Sequence, residues 1–464
     1  MPRKGLAGRG KVMATLAGLR HEKLCALELR TLAQELEADS AEGSAGAAQA
    51  REAFRQIDRA VRVPAALTRE LAELESLSLA AWGEARKRSD FSIYQPRLER
   101  MVELKRQEAA CVAPAGPAYD GLLDEYEPGA READLEPLFE DLCRALVPLV
   151  QGVLSRAPVD ESAVKGSFPA AAQRQLGRRA AEAFGFRFDA GRLDLSTHPF
   201  CSGFNRGDVR MTWRLEEGDF RPALFGILHE TGHGLYEQGL PEVWDRTPLG
   251  APVSLGIHES QSRLWENLVG RSRGFWRWAL PLVRETLPGT DHMTVEGVWK
   301  ALHTVKPSLI RVEADEATYN LHVAVRFDIE RRLLAGDLEV RDLPAAWDDA
   351  YEALLGIRAE RMAEGVLQDI HWALGSFGYF PTYTLGTLAS CQLFEAAERE
   401  LGDLEGRFAQ GEFEPLLDWL RRGIHQHGRF YSAAELIERT TGEPLAADAF
   451  LSYVRSNVEE AYPD

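Results

Sequence analysis

The chain has 464 residues, a formal net charge of -18 at pH 7 and 45% hydrophobic residues. This length is enough to bury a large core, and the acidic excess argues against binding to DNA or RNA phosphates. No stretch of about 18 apolar residues occurs and no apolar segment follows the basic N-terminus, so neither a membrane span nor a secretory signal is predicted. The five cysteines are scattered without a C-x-x-C pair, which indicates free thiols in a cytoplasmic protein.

The N-terminal part of the chain has the pattern of successive amphipathic helices. Segments such as HEKLCALELRTLAQELEA and RELAELESLSLAAWGEARKR combine good helix formers with apolar residues three and four positions apart. Short breaks containing Gly, Pro and Asp separate these segments. Because neither a fixed-period repeat nor a clear linker is found, we expect a single all-α domain over residues 1–464, apart from a small β-sheet.

The sequence pattern changes between residues 195 and 217. A glycine-rich turn is followed at 209–213 by apolar residues that alternate with polar ones, which is the two-residue period of a strand. A small sheet is therefore predicted here. The short apolar stretch at 253–258 is a candidate for a second strand that pairs with it.

The segment LFGILHETGHGLYEQ places an H-E-x-x-H pattern inside a dense apolar run, with Pro222 near the expected first turn of a helix. On a helix, His229 and His233 share one face and can bind one metal ion, while Glu230 can reach a water bound to that ion. The pattern is typical of zinc hydrolases. Two packed core histidines would produce the same five letters, so a third ligand is needed to decide.

Catalytic zinc usually has three protein ligands and a fourth position for water, and two histidines with one carboxylate are a common set. Downstream, HESQSRLWENL contains Glu259 and, one heptad later, Glu266. We predict that a helix begins at Glu259, which then lies in the first turn and is the third ligand. A glutamate there would also suit the helix dipole alone. Glu266 is predicted to hold a ligand in place or to form a buried pair.

Six short motifs occur in order along the chain: HPF at 198–200, DVRMT at 208–212, HETGH at 229–233, HESQ at 258–261, IRVEAD at 310–315 and GVLQDIHW at 365–372. Together they resemble the carboxypeptidase Taq family of metallocarboxypeptidases, and the resemblance covers nearly the whole chain. It implies an almost wholly helical fold similar to neurolysin and angiotensin-converting enzyme. It also implies two helical lobes that flank a groove with the metal on its floor, and a homodimer.

The resemblance further implies that His229, His233 and Glu259 bind zinc, with cobalt as a substitute, and that Glu230 is the general base. The implied activity is the release of single amino acids from peptides with a free C-terminus, with broad specificity. Two alternatives remain: a zinc endopeptidase or dipeptidase of the same fold, and a helical peptide-binding protein without catalysis. The presence of Glu230 argues against the second.

Hydrolysis also needs a donor for the tetrahedral oxyanion. In proteins of the implied fold a tyrosine is this donor. Of the two candidates in this chain, Tyr383 is preferred over Tyr379 as the donor to the oxyanion. His198 and His371 are candidate hydrogen-bond donors to the substrate, and Asp369 is a candidate to orient a ligand histidine. The remaining histidines, such as His322, His425 and His427, are interpreted as incidental surface residues.

An exopeptidase must recognise a free carboxylate, which suits the planar fork of arginine. Arg210 and Arg311 are the candidates, and Arg311 is preferred because its motif has helical neighbours that would hold it rigidly. Each arginine has an alternative role, since Arg210 can pair with Asp208, and Arg311 with Glu313 or Asp315.

One departure from the family concerns the start of the chain. Family members usually open with a helix that leads into a segment containing Met-Pro, whereas this chain begins MPRKGL. We therefore expect the first helix of the family to be missing before Met1.

Overall fold

The computed structural model describes residues 5–463, apart from the side chains of Leu6 and Ala7. These residues form mainly α-helices with one three-stranded sheet, so the expected mainly-α class with a small sheet is confirmed. The expectation about a helix before Met1 lies outside the described residues. Among the described helices, none is both long and apolar enough to span a bilayer.

The helices follow the apolar spacing seen in the sequence, and short 3₁₀ turns lie between several of them. The helices are α1 Leu6–Leu24, α2 Leu27–Asp39, α3 Ala45–Arg62, α4 Ala65–Arg88, α5 Gln95–Val112, α6 Ala118–Leu123, α7 Glu132–Leu154, α8 Ala170–Ala183, α9 Arg221–Gly239, α10 Leu255–Arg263, α11 Arg273–Thr286, α12 Val295–Leu302, α13 Tyr319–Ala335, α14 Leu343–Leu355, α15 Pro381–Leu401, α16 Leu404–Ala409, α17 Glu414–Gly423, α18 Ala433–Thr441 and α19 Asp448–Ala461. The strands are β1 Gly191–Leu195, β2 Cys201–Asn205 and β3 Asp208–Trp213.

The chain divides into two compact units, each assembled from two separate segments. The first unit comprises the described residues through Val150 together with Lys306–Pro381. The second comprises Gln151–Val305 together with the described residues from Thr382 onward. The sheet and the H-E-x-x-H helix both belong to the second unit, whereas the IRVEAD and GVLQDIHW motifs belong to the first.

A buried carboxyl group, Glu330 of α13, organises part of the first unit. Its oxygens accept hydrogen bonds from Tyr119 Oη at 3.0 Å, Trp372 Nε1 at 2.8 Å and the backbone N–H of Gly378 at 3.0 Å. Burial raises the pKa of Glu330 to about 7 even though these donors favour its charged form. The carboxyl group thereby ties the segment that follows GVLQDIHW to the helical core of this unit.

The sheet lies in the second unit, with β3 as its central strand. β3 runs parallel to β1 and antiparallel to β2. Alternation along β3 places Val209, Met211 and Trp213 in the core of this unit, where the strand packs against α9. The predicted strand at 209–213 is thus confirmed.

The predicted second strand at 253–258 is wrong, because this stretch forms the start of α10. Ser254 caps that helix, and its Oγ accepts the backbone N–H of Ile257 at 3.1 Å. The strands that pair with β3 are instead β1 and β2.

The core of the second unit surrounds α9, which is buried on nearly every side. A helix of this kind is buried within a protein core. Pro222 lies in its first turn, as predicted. Because α9 is held on several sides by α8, α10 and β3, the two histidines of the H-E-x-x-H pattern are carried on a rigid element.

Candidate metal centre

α9 and α10 cross closely where α9 contains Gly232. A Cβ atom added at Gly232 would lie 2.4 Å from the carbonyl oxygen of Gln261 and 2.6 Å from the Cα of Ser262, so only glycine permits this approach. The crossing brings Glu259 of α10 next to the histidines of α9. The expectation that Glu259 lies in the first turn is wrong, because α10 begins at Leu255 and Glu259 is in its second turn.

The side chains of His229, His233 and Glu259 converge. Glu259 Oε2 lies 3.7 Å from His229 Nε2 and 3.5 Å from His233 Nε2. The ligand atoms of the three residues all lie within 4.8 Å of one another, and no other such group of His, Cys, Asp or Glu occurs among residues 5–463. Ligand atoms about 2 Å from a tetrahedral ion lie about 3.3 Å apart, close to these two separations.

Both histidines are anchored through their other ring nitrogen. His229 Nδ1 lies 2.9 Å from Glu266 Oε2, and His233 Nδ1 lies 3.0 Å from the carbonyl oxygen of His258. Hydrogen bonds of this kind fix the tautomer and orientation of metal-binding histidines. They leave the two Nε2 atoms directed toward Glu259, so the residues present fit a bound metal ion.

His258 and Glu237 brace His233 from one side. The ring of His258 stacks on that of His233, with centroids 4.4 Å apart and an interplanar angle of 24°. His258 Nε2 in turn lies 2.9 Å from Glu237 Oε1. Neither bracing residue was assigned a role from the sequence. They contact His233 only because α9 packs against α10, and the spacing of residues in the sequence does not reveal that packing.

The charges at this centre favour a cation. Burial alone would lower the pKa of His229, but the nearby Glu259 and Glu266 outweigh burial and raise it to about 9. Burial would raise the pKa of Glu266, but Arg263 and His229 lower it to about 2, so this residue stays ionised. The position between the ligand atoms therefore attracts positive charge.

Glu230 lies beside the ligand group and is 5% exposed. Its Oε2 is buried and has no hydrogen-bond partner among the described residues. Burial raises the pKa of this carboxyl group to about 7, against the opposing effect of His229. A buried carboxyl oxygen without a partner is rare in proteins, and those that occur are often functional.

A π-helical turn, Leu264–Val269, follows α10 directly and contains Glu266. The backbone N–H of Gly270 bonds to the carbonyl oxygen of Trp265 at 3.0 Å across this turn. Single π-helical turns are frequent at functional sites. Here the turn carries Glu266, the residue that bonds His229, so it helps to set the position of that carboxylate.

Arg263, the last residue of α10, bonds to both glutamates of this segment. Its Nε donates to Glu259 Oε1 at 2.7 Å, and its Nη1 donates to Glu266 Oε2 at 3.3 Å. No role was predicted for this residue from the sequence. Its spacing was a usable signal, because Arg263 lies four residues after one glutamate and three before the other.

Tyr383 and Tyr379 lie in different units. Tyr383 is half-buried on α15 in the second unit, one helical turn before Gly386. A Cβ added at Gly386 would lie 2.5 Å from Glu259 Cβ, and residues three apart share a helix face, so Tyr383 is on the side of α15 that faces Glu259. Tyr379 is in the first unit, where it packs edge-to-face on Tyr126 with ring centroids 5.2 Å apart.

Arg210 lies on the outer face of β3 in the second unit. Its Nε and Nη2 each donate to Asp208 at 2.8 Å, which is the alternative pairing considered from the sequence. The side chain of Arg210 remains 46% exposed. His198 is also exposed in this unit, and its backbone N–H bonds to Ser196 Oγ at 3.2 Å.

Arg311 belongs to a buried ion-pair cluster in the first unit. Its Nη2 donates to Asp369 Oδ1 at 2.9 Å and its Nη1 donates to Tyr319 Oη at 2.9 Å, while its side chain is only 5% exposed. Asp369 is a partner of this arginine that the sequence did not suggest. The carboxylate of Asp315 accepts hydrogen bonds from backbone N–H groups, including that of Thr318.

Asp369 is shared between two arginines, because Arg326 Nη2 lies 2.6 Å from its Oδ2. Burial would raise the pKa of Asp369, but Arg311 and Arg326 hold it well below its ordinary value. His371 Nδ1 is 3.9 Å away, and burial lowers the pKa of His371 to about 3. Asp369 thus pairs with arginines, whereas the Nδ1 atoms of the candidate ligand histidines have other partners.

The expectation that His322 and His425 lie on the surface is wrong. Both are fully buried. His322 Nδ1 lies 2.9 Å from Tyr351 Oη, and His425 Nε2 lies 2.8 Å from the side-chain oxygen of Gln261 in the HESQ motif. His425 therefore supports α10 from a position far away in the sequence. His427 is half-buried.

The model of the carboxypeptidase Taq (M32) metallopeptidase family matches residues 1–458. Thermostable carboxypeptidase 1 of Thermus thermophilus is 43% identical over 475 residues, covering 100% of this chain and 93% of that protein. The protein of the same name from Pyrococcus furiosus is 39% identical over 463 residues, covering 98% and 92%.

Solved structures agree with this result. The crystal structure of an M32 carboxypeptidase from Deinococcus radiodurans is 40% identical, covers 100% of this chain and 94% of its own, and superposes with a TM-score of 0.94. The family predicted from the six motifs is thereby confirmed. The chain belongs to the carboxypeptidase Taq (M32) family and is a metallocarboxypeptidase.

Proposed function

We propose that this metallocarboxypeptidase binds zinc through His229, His233 and Glu259 and releases single C-terminal amino acids from peptides with broad specificity. Two imidazole nitrogens and one carboxylate oxygen are a common ligand set of catalytic zinc, and cobalt is a plausible substitute in such a set. The observation that carries the proposal is the buried, unpartnered Glu230 Oε2 beside the converging ligand atoms.

The proposed chemistry assigns one task to each side chain. Zinc, when bound, supplies a Lewis acid that polarises the scissile carbonyl and lowers the pKa of water to about 7. Glu230 accepts the proton of the attacking water at Oε2 and delivers it to the nitrogen of the leaving amine. Tyr383 is the proposed donor to the oxyanion, supported by its place one turn from Gly386 on α15.

We propose Arg210, and no longer Arg311, as the anchor for the substrate carboxylate. An exposed arginine can exchange Asp208 for a substrate carboxylate at little cost, because exposed ion pairs contribute only about 0–1 kcal/mol. Breaking the buried Arg311–Asp369 pair would cost about 3–5 kcal/mol. His198, which is exposed in the same unit, remains a proposed hydrogen-bond donor to the peptide. His371 packs on Phe380 with centroids 4.4 Å apart, which favours a structural role.

The enzyme is further proposed to act as a homodimer. Support comes from the exposed apolar side chains of the first two helices. Single exposed leucines are normal on a protein surface, but many exposed apolar residues on two neighbouring helices in the sequence indicate an interaction surface. On α1 and α2 these exposed residues are Val12, Met13, Leu16, Leu19, Leu27, Leu29, Leu32 and Leu36. A second copy of the chain would remove this apolar surface from water.

A cytoplasmic location is proposed on the basis of the cysteines. All five are free thiols, as is typical of proteins in a reducing compartment. The proposed substrates are accordingly intracellular peptides with a free C-terminus.

The decisive experiment combines metal analysis with mass spectrometry of a mixed peptide pool. The purified protein should contain one zinc ion per chain and shorten free peptides one residue at a time from the C-terminus. C-terminally amidated copies of the same peptides should remain intact, because they lack the charge that the anchor recognises. Internal fragments would instead support the endopeptidase alternative. Cleavage confined to dipeptides, with longer peptides left intact, would support the dipeptidase alternative. A stoichiometric metal without any cleavage would support the binding protein.

A further inference from the structure

We propose that Arg263 is a positioning residue that reserves one oxygen of Glu259, so that the ligand offers only its other oxygen to the metal. This inference rests on the proposed function, in which Glu259 is a metal ligand. In this proposal, Arg263 controls how many oxygens Glu259 supplies to the metal.

The two oxygens of Glu259 have different surroundings. Oε1 accepts the Nε–H of Arg263 at 2.7 Å, whereas Oε2 faces the two histidines at 3.5 and 3.7 Å. Ser262 Oγ lies 3.2 Å from Oε2, but its shorter hydrogen bond, at 2.7 Å, goes to the carbonyl oxygen of Glu259. The side chain of Glu259 is only 7% exposed, so water has little access to replace these contacts.

The same guanidinium also bonds to Glu266, the residue that orients the candidate ligand His229. Arg263 Nη1 donates to Glu266 Oε2 at 3.3 Å, and that oxygen also lies 2.9 Å from His229 Nδ1. One rigid, planar group therefore links the Glu259 carboxylate to the partner of His229.

The chemistry of metal sites explains why reserving an oxygen matters. A carboxylate with both oxygens free can bind a metal ion through one or both of them. A catalytic zinc site must keep a position open for water and substrate. An extra carboxylate oxygen would occupy that position. Arg263 prevents this because its short bond holds Oε1 away from the histidine side of Glu259.

The test uses cobalt as a spectroscopic probe, because the intensity of its visible bands falls as the number of ligands rises. The full-length protein is loaded with Co²⁺, and its absorption spectrum and X-ray absorption are compared among variants. In Arg263→Met, both oxygens of Glu259 become available, so band intensity should fall and an additional oxygen neighbour should appear. Arg263→Lys keeps a donor for Oε1 and should preserve most of the parent spectrum.

The matched control is Arg271→Met, which removes the same charge from the same cluster. Arg271 Nη2 is 4.0 Å from Glu266 Oε1, and its shorter bonds go to Asn267 at 3.0 Å and to the carbonyl oxygen of Leu302 at 2.8 Å. Its cobalt spectrum should match that of the parent. If Arg263→Met and Arg271→Met changed the spectrum equally, charge alone would be responsible and the positioning role would be refuted.

Two outcomes separate this inference from the proposed function. If the parent protein fails to bind cobalt or zinc at one ion per chain, the ligand assignment itself is wrong. If the parent binds one ion but X-ray absorption or a crystal structure finds both oxygens of Glu259 on the metal, only the role of Arg263 is overturned. That measurement needs no variant, so it decides the question even if Arg263→Met does not fold.

Discussion

Gly386 lies directly against Glu259: a Cβ atom added to the glycine would be 2.5 Å from the Cβ and 2.6 Å from the Cγ of the glutamate. At Gly386, α15 therefore presents only its backbone to the candidate ligand. Gly232 allows a similarly close approach of α9 to Gln261 and Ser262 of the same short helix. Two glycines thus hold the Glu259 segment where its carboxylate meets the histidines.

We predict that Gly386→Ala weakens metal binding by about 10- to 100-fold, the usual effect of disturbing a group that orients a ligand. The added methyl group must push Glu259 away, because it would also lie only 2.9 Å from the carbonyl oxygen of Gly256. Competition with a chelator measures the affinity. The control is Gly83→Ala on α4, where a Cβ meets nothing within 4 Å. This control should bind metal normally and gain about 0.5–1 kcal/mol in stability. Normal affinity in Gly386→Ala would contradict the packing argument.

Glu230 and Glu259 should respond differently to substitution. Glu230→Gln should retain a full metal content but lose about 10²- to 10⁴-fold in kcat, because the amide cannot accept the proton of water. Glu259→Ala should lose the metal itself. Metal analysis and peptide hydrolysis on the same preparations separate the two effects. Full metal and full activity in Glu259→Ala would refute its assignment as a ligand.

The carboxylate anchor can be tested with a closely matched pair of arginines. Arg210→Lys should lower kcat/KM for free peptides while metal content stays normal, because lysine keeps the charge but loses the bidentate fork. Arg192 lies opposite Arg210 in the register of β1 and β3, and it bonds to Asp194 at 2.5 and 2.9 Å. Arg192→Lys should leave kcat/KM unchanged. An equal loss in both variants would indicate a general effect of the sheet surface on activity.

Asp369 should make stability depend on pH. Because its pKa is lowered in the folded protein, the stabilisation is complete above the unfolded pKa of about 4 and is lost as pH falls through lower values. Asp369→Asn should lose about 3–5 kcal/mol at pH 7, since two buried arginines lose their shared partner. The difference in Tm between the two proteins should narrow as the pH is lowered below about 4. A constant difference over that range would argue against the ion pair as its source.

The proposed dimer depends on apolar side chains of the first two helices. Leu16→Glu should weaken dimerisation, because burying a leucine contributes about 1.5–3 kcal/mol and a buried charge costs more. Leu154→Glu is the control, since both leucines are 55% exposed but Leu154 is not on α1 or α2. Sedimentation over a range of concentrations measures the assembly. A parent protein that stays monomeric at every concentration would remove the dimer from the proposal.

Several predictions made from the local spacing of residues agreed with the structure. The helix around the H-E-x-x-H pattern, its proline in the first turn and the strand at 209–213 all follow from periodicities that neighbouring residues impose. The stretch at 253–258 was misassigned because a short apolar run suits either a strand or a helix. The cap supplied by Ser254 decides for the helix.

The sequence by itself determined the family and the set of chemical groups, because six ordered motifs and the spacing of His229, Glu230 and His233 need no knowledge of distant contacts. Only the tertiary structure decided the partner of each group. Arg311 meets Asp369 across 58 positions, and His425 meets Gln261 across 164. Such pairings depend on how helices pack, and packing is set by the fit of whole surfaces, which no short pattern of residues contains.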